Sequence, residues 1–274
     1  MKVLVTGAKG MLGQDLCPIL EDEGYEVIEA DINDFDICNL EEASKFIKEN
    51  KPDFIIHCAS YTNVDKAEEE LELARKINAN GTENIAKISS EIDATIVYIS
   101  TDYVFDGTKK TPYTIEDAPN PINNYGLTKL EGEIAVQKHC KKHYIVRTSW
   151  LYGTYGKNFV EIMLANKDKD LKVVNDQIGC PTWTIELANG ICEILDSEEY
   201  GIYHICGSGK ASWCDFASEI FKLSNIKANL SPCKTEDFPR PAKRPAYSVM
   251  ENDKICRNWK SALKDYLTLR DEEV

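Results

Sequence analysis

The first twenty residues constrain the fold most, because they have the pattern of a strand, a glycine-rich turn and a helix. Residues 2–6 are apolar and rich in β-branched side chains, Gly7, Gly10 and Gly13 follow, and residues 11–20 have helical spacing. Glycines permit a tight turn and let the backbone approach a pyrophosphate, which then lies on the free N–H groups of the helix. The pattern predicts a dinucleotide-binding strand–turn–helix unit.

The alternation of strands and helices continues to about residue 100. Each predicted strand is short and apolar, and each intervening stretch has helical spacing. The strands are predicted at residues 25–30, 54–58 and from 95 onward, and the helices at 40–49 and 64–91. Three alternations predict a right-handed, doubly wound parallel sheet, which is an α/β fold.

Two predicted strand ends have residues suited to a dinucleotide. Asp31 stands about eighteen residues after the last glycine of the turn, where such folds use an acid to bind the adenosine ribose 2′-OH. An ordinary loop aspartate is the alternative. Ala59, Ser60 and Tyr61 end the third strand, and these residues are suited to passing beneath a cofactor.

The strand that begins near residue 95 ends in the polar run Ser100, Thr101 and Asp102, and a helical pattern that contains Tyr125 and Lys129 follows. Residues four apart on a helix share one face. We expect the Lys129 charge to favour the phenolate of Tyr125 and bring its pKa, about 10 when unperturbed, nearer neutrality. Thr101 would hold a carbonyl oxygen while Tyr125 protonates it. A solvent-facing Tyr and Lys are the alternative for the pair alone.

Charge and composition exclude several classes of protein. The net charge of −14 argues against nucleic acid, because phosphate binding needs an excess of Lys and Arg. No apolar run approaches the roughly 20 residues of a membrane span, and no signal peptide precedes the first strand, so we expect a cytoplasmic protein. The ten cysteines form no C-x-x-C pair and are expected to be reduced. His139, Cys140 and His143 lack a clear third ligand, so no metal is predicted.

Several further features allow two interpretations. Trp150, just after a predicted strand, is either a packing residue or a ligand platform, and Arg147 either forms a buried salt bridge or binds a ligand. Thr62 and Asp65 have the spacing of a capping box, and this structural role alone can explain both. We place the polar loop of residues 175–182 at the site.

The remainder of the chain is expected to form a smaller domain. A helix at residues 183–195 and a strand at 201–206 are expected to return to the main sheet. The predicted dinucleotide-binding domain is therefore residues 1–149 plus 175–206, and the substrate-binding domain is residues 150–174 plus 207–274.

Longer runs resemble a known family. T-G-x-x-G-x-x-G at residues 6–13 with Y-x-x-x-K at 125–129 resembles the extended short-chain dehydrogenase/reductase superfamily, and other runs are similar to signatures of its dTDP-4-dehydrorhamnose reductase family. Those runs are VDKAE at 64–68, STDYVFDG at 100–107, NNYGLTKLEGE at 123–133, RTSWLYG at 147–153 and NDQIGCPT at 175–182. The basic run RPAKRPAYS departs from the family's R-P-x-N-S, which leaves the nucleotide base open.

The resemblance implies a Rossmann-type sheet with a smaller C-terminal substrate-binding domain, and it completes the assignment of site residues. The catalytic residues would be Thr101, Tyr125 and Lys129. The cofactor-binding residues would be Gly7, Gly10, Met11, Leu12, Gly13, Asp31, Asp36, Ile37, Ala59, Ser60, Tyr61, Tyr125 and Lys129. The substrate-binding residues would be Thr101, Asp102, Tyr103, Trp150 and Arg244, with Lys157 and Arg240 as further cations for the negative sugar nucleotide.

The implied activity is reduction, dependent on NADH or NADPH, of the C4 ketone of a nucleotide-linked 4-keto-6-deoxysugar, as in making dTDP-L-rhamnose for cell-surface polysaccharide. A 4,6-dehydratase is disfavoured, because Tyr103 stands where those enzymes carry a second acid. A 4-epimerase with tightly bound NAD and a non-catalytic regulatory subunit stay as alternatives. A homodimer is considered for the protein. Neither nucleic acid nor a membrane is expected as a partner.

The choice of cofactor depends on two residues of opposite charge. Asp31 would bind the ribose of NADH and repel the 2′-phosphate of NADPH, and like charges about 4 Å apart cost roughly 1 to 4 kcal/mol. Lys9, in the glycine turn, would offset up to about 1 kcal/mol. We expect both cofactors to work, with NADH favoured roughly tenfold.

Overall fold

The structure, a computed structural model, describes residues 1–252 and 255–272. Its strands are β1 (Lys2–Thr6), β2 (Glu26–Ala30), β3 (Phe54–His57), β4 (Thr95–Thr101), β5 (His143–Thr148), β6 (Leu151–Tyr152), β7 (Asp170–Val174), β8 (Ile178–Gly179), β9 (Thr182–Trp183), β10 (Gly201–His204), β11 (Ala211–Ser212) and β12 (Asn229–Cys233). Its helices are α1 (Met11–Asp22), α2 (Leu40–Asn50), α3 (Leu71–Arg75), α4 (Thr82–Glu91), α5 (Asn124–His139), α6 (Phe159–Ala165), α7 (Thr184–Leu195), α8 (Trp213–Leu223) and α9 (Trp259–Glu272).

Six strands form one parallel sheet in the order β10-β5-β4-β3-β1-β2, which confirms the predicted doubly wound sheet. The chain leaves β1 for β2 on one side and then crosses to β3 on the other side. Ligands of such sheets bind outside the carboxyl ends of the strands where the order reverses. The loops after β1 and β3 therefore border the expected site.

Alternation of side chains along the strands gives the sheet two apolar faces. Val5 and Ile56 point to the face covered by α1 and α7, whereas Leu4 and Ile55 point to the face covered by α2, α4 and α5. All four side chains are fully buried. Helices on both faces leave only the sheet's ends open, and this directs ligands to the carboxyl end.

The helical pattern over residues 64–91, in which an interruption is predicted near Leu71, is divided into several pieces. A 3₁₀ turn at Lys66–Glu68 and α3 precede a π-helical turn at Lys76–Gly81, and α4 continues from it. The π turn holds the buried Asn78, whose Oδ1 accepts hydrogen bonds from the Ser60 hydroxyl at 2.9 Å and the Tyr61 N–H at 2.7 Å. The turn thus fixes the loop that follows β3.

A second apolar core lies between α6, α8, α9 and the short strands near them, with Phe216, Leu263 and Tyr266 among its buried residues. As predicted, β10 pairs within the main sheet and α7 packs on α1. However, β8 pairs with β11, which lies in the predicted smaller domain. The division into two domains stays a prediction. None of the helices in the described ranges is long and apolar enough to cross a membrane.

Candidate active site

The glycine turn after β1 has no room for side chains. Gly7 has a φ of +68°, and a Cβ there would lie 2.8 Å from the backbone nitrogen of Ala59. A Cβ on Gly13 would lie 2.5 Å from the carbonyl oxygen of Ala8. The helix α1 starts after Gly10 without a side-chain cap, so its first N–H groups are available to an anion.

Asp31 ends β2 beside this turn. Its carboxylate accepts hydrogen bonds from the backbone N–H of Lys9 at 3.2 Å and of Ile32 at 2.8 Å. These bonds hold the carboxylate against the glycine turn, where the predicted ribose contact requires it. Lys76, from the π turn, lines the same cleft as Asp31 and adds a cation that the sequence did not suggest.

One cleft of about 880 Å³ joins the glycine turn to the end of β5. The predicted site residues that line it are Gly7, Gly10, Met11, Leu12, Gly13, Asp31, Asp36, Ile37, Ala59, Ser60, Thr101, Asp102, Tyr103, Tyr125, Lys129 and Trp150. Lys157 lines it as well. Two predicted residues, Tyr61 and Arg244, are not part of the lining that the described chain provides, and the Tyr61 hydroxyl donates to Glu70 at 2.5 Å.

Arg244 is held by Asp65. It donates to one carboxylate oxygen at 2.5 Å, and Arg240 donates to the other, also at 2.5 Å. Burial raises the pKa of Asp65, but the hydrogen bonds from the two arginines outweigh it and keep the pKa below its ordinary value. The capping-box interpretation of Thr62 and Asp65 is therefore wrong, because the carboxylate binds arginine instead of helix backbone. A contact between Arg244 and substrate stays a prediction.

Lys129 is directed into the protein from α5. Its ammonium donates to the carbonyl of Ile99 at 2.6 Å and to the Ser60 hydroxyl at 3.4 Å, and it lies 4.2 Å from the centre of the Tyr98 ring. Burial lowers the pKa of Lys129 to about 7, and the charge of Glu133 opposes this shift. The ammonium therefore reaches the loop after β3 beneath the cleft.

Tyr125 lies one helical turn before Lys129, as predicted, and it lines the cleft. Burial raises its pKa to about 12, the charge of Asp102 raises it further, and a hydrogen bond with Thr101 opposes the rise. The expectation that Lys129 brings the pKa of Tyr125 towards neutrality is wrong in this structure, because burial dominates and the ammonium binds other groups. The edge of the Tyr103 ring packs near Tyr125, with centroids 5.8 Å apart.

Asp102 follows β4 and is only 2% exposed. Its carboxylate accepts hydrogen bonds from the Ser248 hydroxyl at 2.5 Å and the Thr101 hydroxyl at 3.1 Å. Burial raises the pKa of Asp102 to about 7, although these hydrogen bonds limit the rise. Sequence reasoning missed Ser248, and the only signal for it was its place at the end of the run RPAKRPAYS.

Glu133 is a second residue that the sequence reasoning missed. It follows Tyr125 and Lys129 on the same face of α5 and accepts two hydrogen bonds from Arg147, at 2.9 and 2.7 Å, and one from Ser100 at 2.5 Å. Both charged side chains are 2% exposed. Arg147 therefore forms the buried salt bridge. Glu133 stands four residues after Lys129, and this spacing could have identified it.

Trp150 stacks on Trp213, the first residue of α8, with ring centroids 3.5 Å apart and planes 3° apart. Both rings line the cleft, so Trp150 packs against a neighbour and also faces a ligand. In contrast, residues 175–182 are not part of the lining that the described residues provide, and the placement of this loop at the site stays a prediction. Gly179 lies behind the indole of Trp150, where a Cβ would be 2.5 Å from the ring.

The histidines with metal-like spacing have other partners. His139 Nε2 lies 2.9 Å from a carboxylate oxygen of Glu83, and His143 Nδ1 lies 2.7 Å from the carbonyl oxygen of Cys140. Within residues 1–252 and 255–272, no group of three or more His, Cys, Asp or Glu side chains could hold a metal ion.

Comparison with known proteins gives matches over nearly the whole chain. The family model described as RmlD substrate binding domain matches residues 1–270. The spore coat polysaccharide biosynthesis protein SpsK of Bacillus subtilis is 40% identical over 98% of each chain. A dTDP-4-dehydrorhamnose reductase of Clostridium acetobutylicum is 48% identical, with a TM-score of 0.96 over 99% of this chain and 100% of that one. The reductase of that name from Bacillus anthracis, in complex with NADP, is 40% identical, with a TM-score of 0.95 over 98% and 99%.

Proposed function

The chain belongs to the RmlD substrate binding domain family, and from this premise we propose that it is a reductase of a nucleotide-linked 4-keto-6-deoxysugar that uses a nicotinamide cofactor. Its substrate is dTDP-4-dehydrorhamnose and its product is dTDP-L-rhamnose. One observation carries the proposal: Thr101, Tyr125 and Lys129 meet in the same cleft as the glycine turn. A donor of hydride and a donor of a proton can therefore reach one carbonyl group.

The residues around the glycine turn fit a dinucleotide. Gly7 and Gly13 let the backbone approach closely, and the uncapped N-terminus of α1 offers N–H groups to a pyrophosphate. Asp31 would bind the adenosine ribose and Lys129 the nicotinamide ribose. The reduced nicotinamide, when bound, supplies the hydride equivalent that reduces the C4 carbonyl carbon.

Tyr125 supplies the proton. Its phenol, with a pKa raised to about 12 by burial and by the charge of Asp102, stays protonated near neutral pH. It donates this proton to the C4 oxygen as negative charge develops there, and the ketone becomes an alcohol. Such a general acid typically contributes roughly 100- to 10,000-fold in rate. Tyr125 then recovers a proton from solvent.

The opposite end of the cleft would hold the sugar nucleotide. Trp150 and Trp213 present stacked indole rings, and Asp102 and Tyr103 belong to the same lining. Lys157, also in the lining, would supply a positive charge for the diphosphate. Aromatic faces and a few polar groups are the usual means of orienting such a ligand.

Both NADH and NADPH are proposed as cofactors, with NADH favoured. The Asp31 carboxylate, fixed by two backbone N–H groups, favours the unphosphorylated ribose. Lys76 lies in the same lining and would attract a 2′-phosphate, so it reduces the preference. The relative from Bacillus anthracis was crystallised with NADP.

The domain division and the homodimer are proposals as well. Separate apolar cores on the sheet and around α8 and α9 support two domains. Ile134 on α5 is 55% exposed, which supports a dimer surface on that helix. Light scattering of the purified protein tests the dimer.

The decisive experiment offers purified protein a panel of nucleotide 4-keto-6-deoxysugars and follows the loss of reduced-nicotinamide absorbance. We expect one equivalent of cofactor to be oxidised for each dTDP-4-dehydrorhamnose, with NMR of the product showing the rhamno configuration at C4. Conversion of a sugar without net cofactor oxidation would instead identify a 4-epimerase. Cofactor binding without turnover on any sugar would support a regulatory subunit.

A further inference from the structure

The Thr101 hydroxyl has one hydrogen, and the geometry around its oxygen offers Asp102 as an acceptor for it. It is donated to Asp102 Oδ1 at 3.1 Å, while the hydroxyl oxygen accepts the N–H of Tyr103 at 3.2 Å. A hydroxyl has a single proton to donate. While Asp102 is ionised, it therefore competes with a substrate carbonyl and with Tyr125 for the Thr101 hydrogen.

Within the described ranges, the partners of the Asp102 carboxylate are hydroxyl groups and backbone N–H groups. Ser248 donates to its other oxygen at 2.5 Å, and the side chain is 2% exposed. In the part of the chain that the structure describes, no Lys or Arg forms an ion pair with this carboxylate. A buried carboxylate without a cation is costly to ionise, so its protonated form is accessible near neutral pH.

We propose that Asp102, held by Ser248, is a positioning residue that must be protonated for efficient reduction. The protonated carboxyl donates to the Thr101 oxygen, which releases the Thr101 hydrogen towards the carbonyl oxygen and Tyr125. Asp102 keeps its proton throughout, because the hydride and the Tyr125 proton alone account for the alcohol. This inference rests on the proposed function and adds a protonation state to it.

The charge of Asp102 also disfavours proton transfer from Tyr125. The ionised carboxylate raises the pKa of Tyr125 and makes it a weaker acid, whereas the protonated carboxyl does not. The other titratable groups that face Asp102 are Tyr103, Tyr125 and Cys206. Burial raises the pKa of Tyr103 and Tyr125, and a hydrogen bond with Cys180 together with burial raises the pKa of Cys206. All three are neutral near pH 7. Arg244, which lowers the pKa of Tyr103, is ionised throughout. Lys129 lines the same cleft, and burial lowers its pKa to about 7, so its loss of charge also contributes to a fall in activity above that pH. Replacing Asp102 separates the two titrations.

The substitution Asp102→Asn tests the proposal, because the amide NH₂ can donate to Thr101 permanently as the protonated carboxyl does. For the wild type, we expect kcat/KM to fall at least about tenfold for each pH unit above about 7. The variant should remain within about tenfold of the wild-type low-pH value and lose the part of the fall that Asp102 causes, whereas the part caused by Lys129 remains. A flat wild-type profile, a variant whose kcat/KM falls as steeply as that of the wild type, or a variant inactive at every pH would overturn the proposal.

Ser248→Ala provides a second test that leaves the carboxylate in place. Loss of a hydrogen bond to the ionised form should raise the pKa of Asp102, so the fall in kcat/KM should move to higher pH. The matched control is Ser89→Ala, which removes a buried hydroxyl that donates to the carbonyl of Ile85 far from the cleft. The pH profile of kcat/KM for this control should match that of the wild type. If the profile of Ser248→Ala also matches that of the wild type, the role of Ser248 is contradicted.

Thermal unfolding checks the titration without any substrate. The pKa of Asp102 is about 7 in the folded protein and about 3.9 when unfolded, so its contribution to stability is fully present below pH 3.9 and is lost as pH rises through 7. The Tm of Asp102→Asn should therefore rise relative to the wild type between about pH 4 and pH 8. A constant difference would overturn the inference. If the difference appears but no sugar is reduced, the proposed function fails and the titration of Asp102 stands.

Discussion

The two ends of the cleft are built in different ways. The cofactor end consists of short contiguous segments, the glycine turn, Asp31 and the loop after β3, and it is shaped mainly by backbone geometry. The catalytic end is assembled from side chains far apart in sequence. Asp102 meets Ser248, 146 residues later, and Trp150, between β5 and β6, stacks on Trp213 of α8.

This difference shows which properties of the cleft depend on local backbone geometry and which depend on tertiary contacts between side chains. Glycines at the cofactor end act through the absence of a Cβ, so each position acts nearly by itself. Side chains at the catalytic end act through burial and charge, which depend on every neighbour. We therefore expect substitutions at the cofactor end to have local effects and those at the catalytic end to have effects on turnover, stability and pH dependence together.

The largest effect is expected for Tyr125→Phe, which removes the proton donor and keeps the ring. Turnover should fall roughly 100-fold or more, while the Kd for the cofactor changes little. Steady-state kinetics and fluorescence titration with the cofactor measure the two quantities. Tyr113→Phe, at a buried phenol that donates to Asp106 outside the cleft lining, is the control. If the variant keeps more than about a tenth of the turnover, Tyr125 is not the donor.

The buried ion pair behind the catalytic residues gives the next largest effect. Glu133→Ala leaves the Arg147 charge buried without its partner, and we expect the free energy of unfolding to fall by about 3 to 5 kcal/mol. Chemical denaturation measures it. Glu131→Ala, on the same helix, removes a partly exposed partner of Arg75 and should cost at most about 1 kcal/mol. Equal losses for both variants would show that burial does not set the difference.

The paired tryptophans test whether the substrate end can be changed without the cofactor end. Trp213→Ala and Trp150→Ala should each raise the KM for the sugar nucleotide by up to roughly tenfold, because an aromatic pair contributes about 0.5 to 1.5 kcal/mol. The Kd for the dinucleotide should stay unchanged in both variants. If the KM and the Kd shift equally, the stack is a packing element and the two ends are coupled.

The smallest effect is expected for the cofactor preference. Asp31→Ala should lower the ratio of kcat/KM for NADH to kcat/KM for NADPH about three- to tenfold, because the repulsion of a 2′-phosphate is lost. The preference for NADH would then narrow or reverse. Lys76→Ala should change the ratio in the opposite direction, since a cation near the ribose is removed. Initial rates with both cofactors measure these ratios. A ratio that Asp31→Ala leaves unmoved would show that Asp31 does not contact the ribose.

The sequence by itself determined the sheet, the glycine turn and most of the cleft lining. Apolar periodicity predicts strands and helices because it records which faces are buried, and Asn39 caps α2 as expected from its side chain. Tyr125 and Lys129 share a face because helix geometry fixes residues four apart. These inferences depend on neighbours along the chain.

Only the tertiary structure decided the electrostatics and the long-range partners. The pKa of Tyr125 rises because burial and Asp102 outweigh Lys129, whose ammonium binds the Ile99 carbonyl instead. Ser248 reaches Asp102 because the C-terminal segment folds back over β4, and nothing in either local sequence specifies that contact. Burial and charge depend on atoms brought together from distant parts of the chain, so local patterns do not contain them.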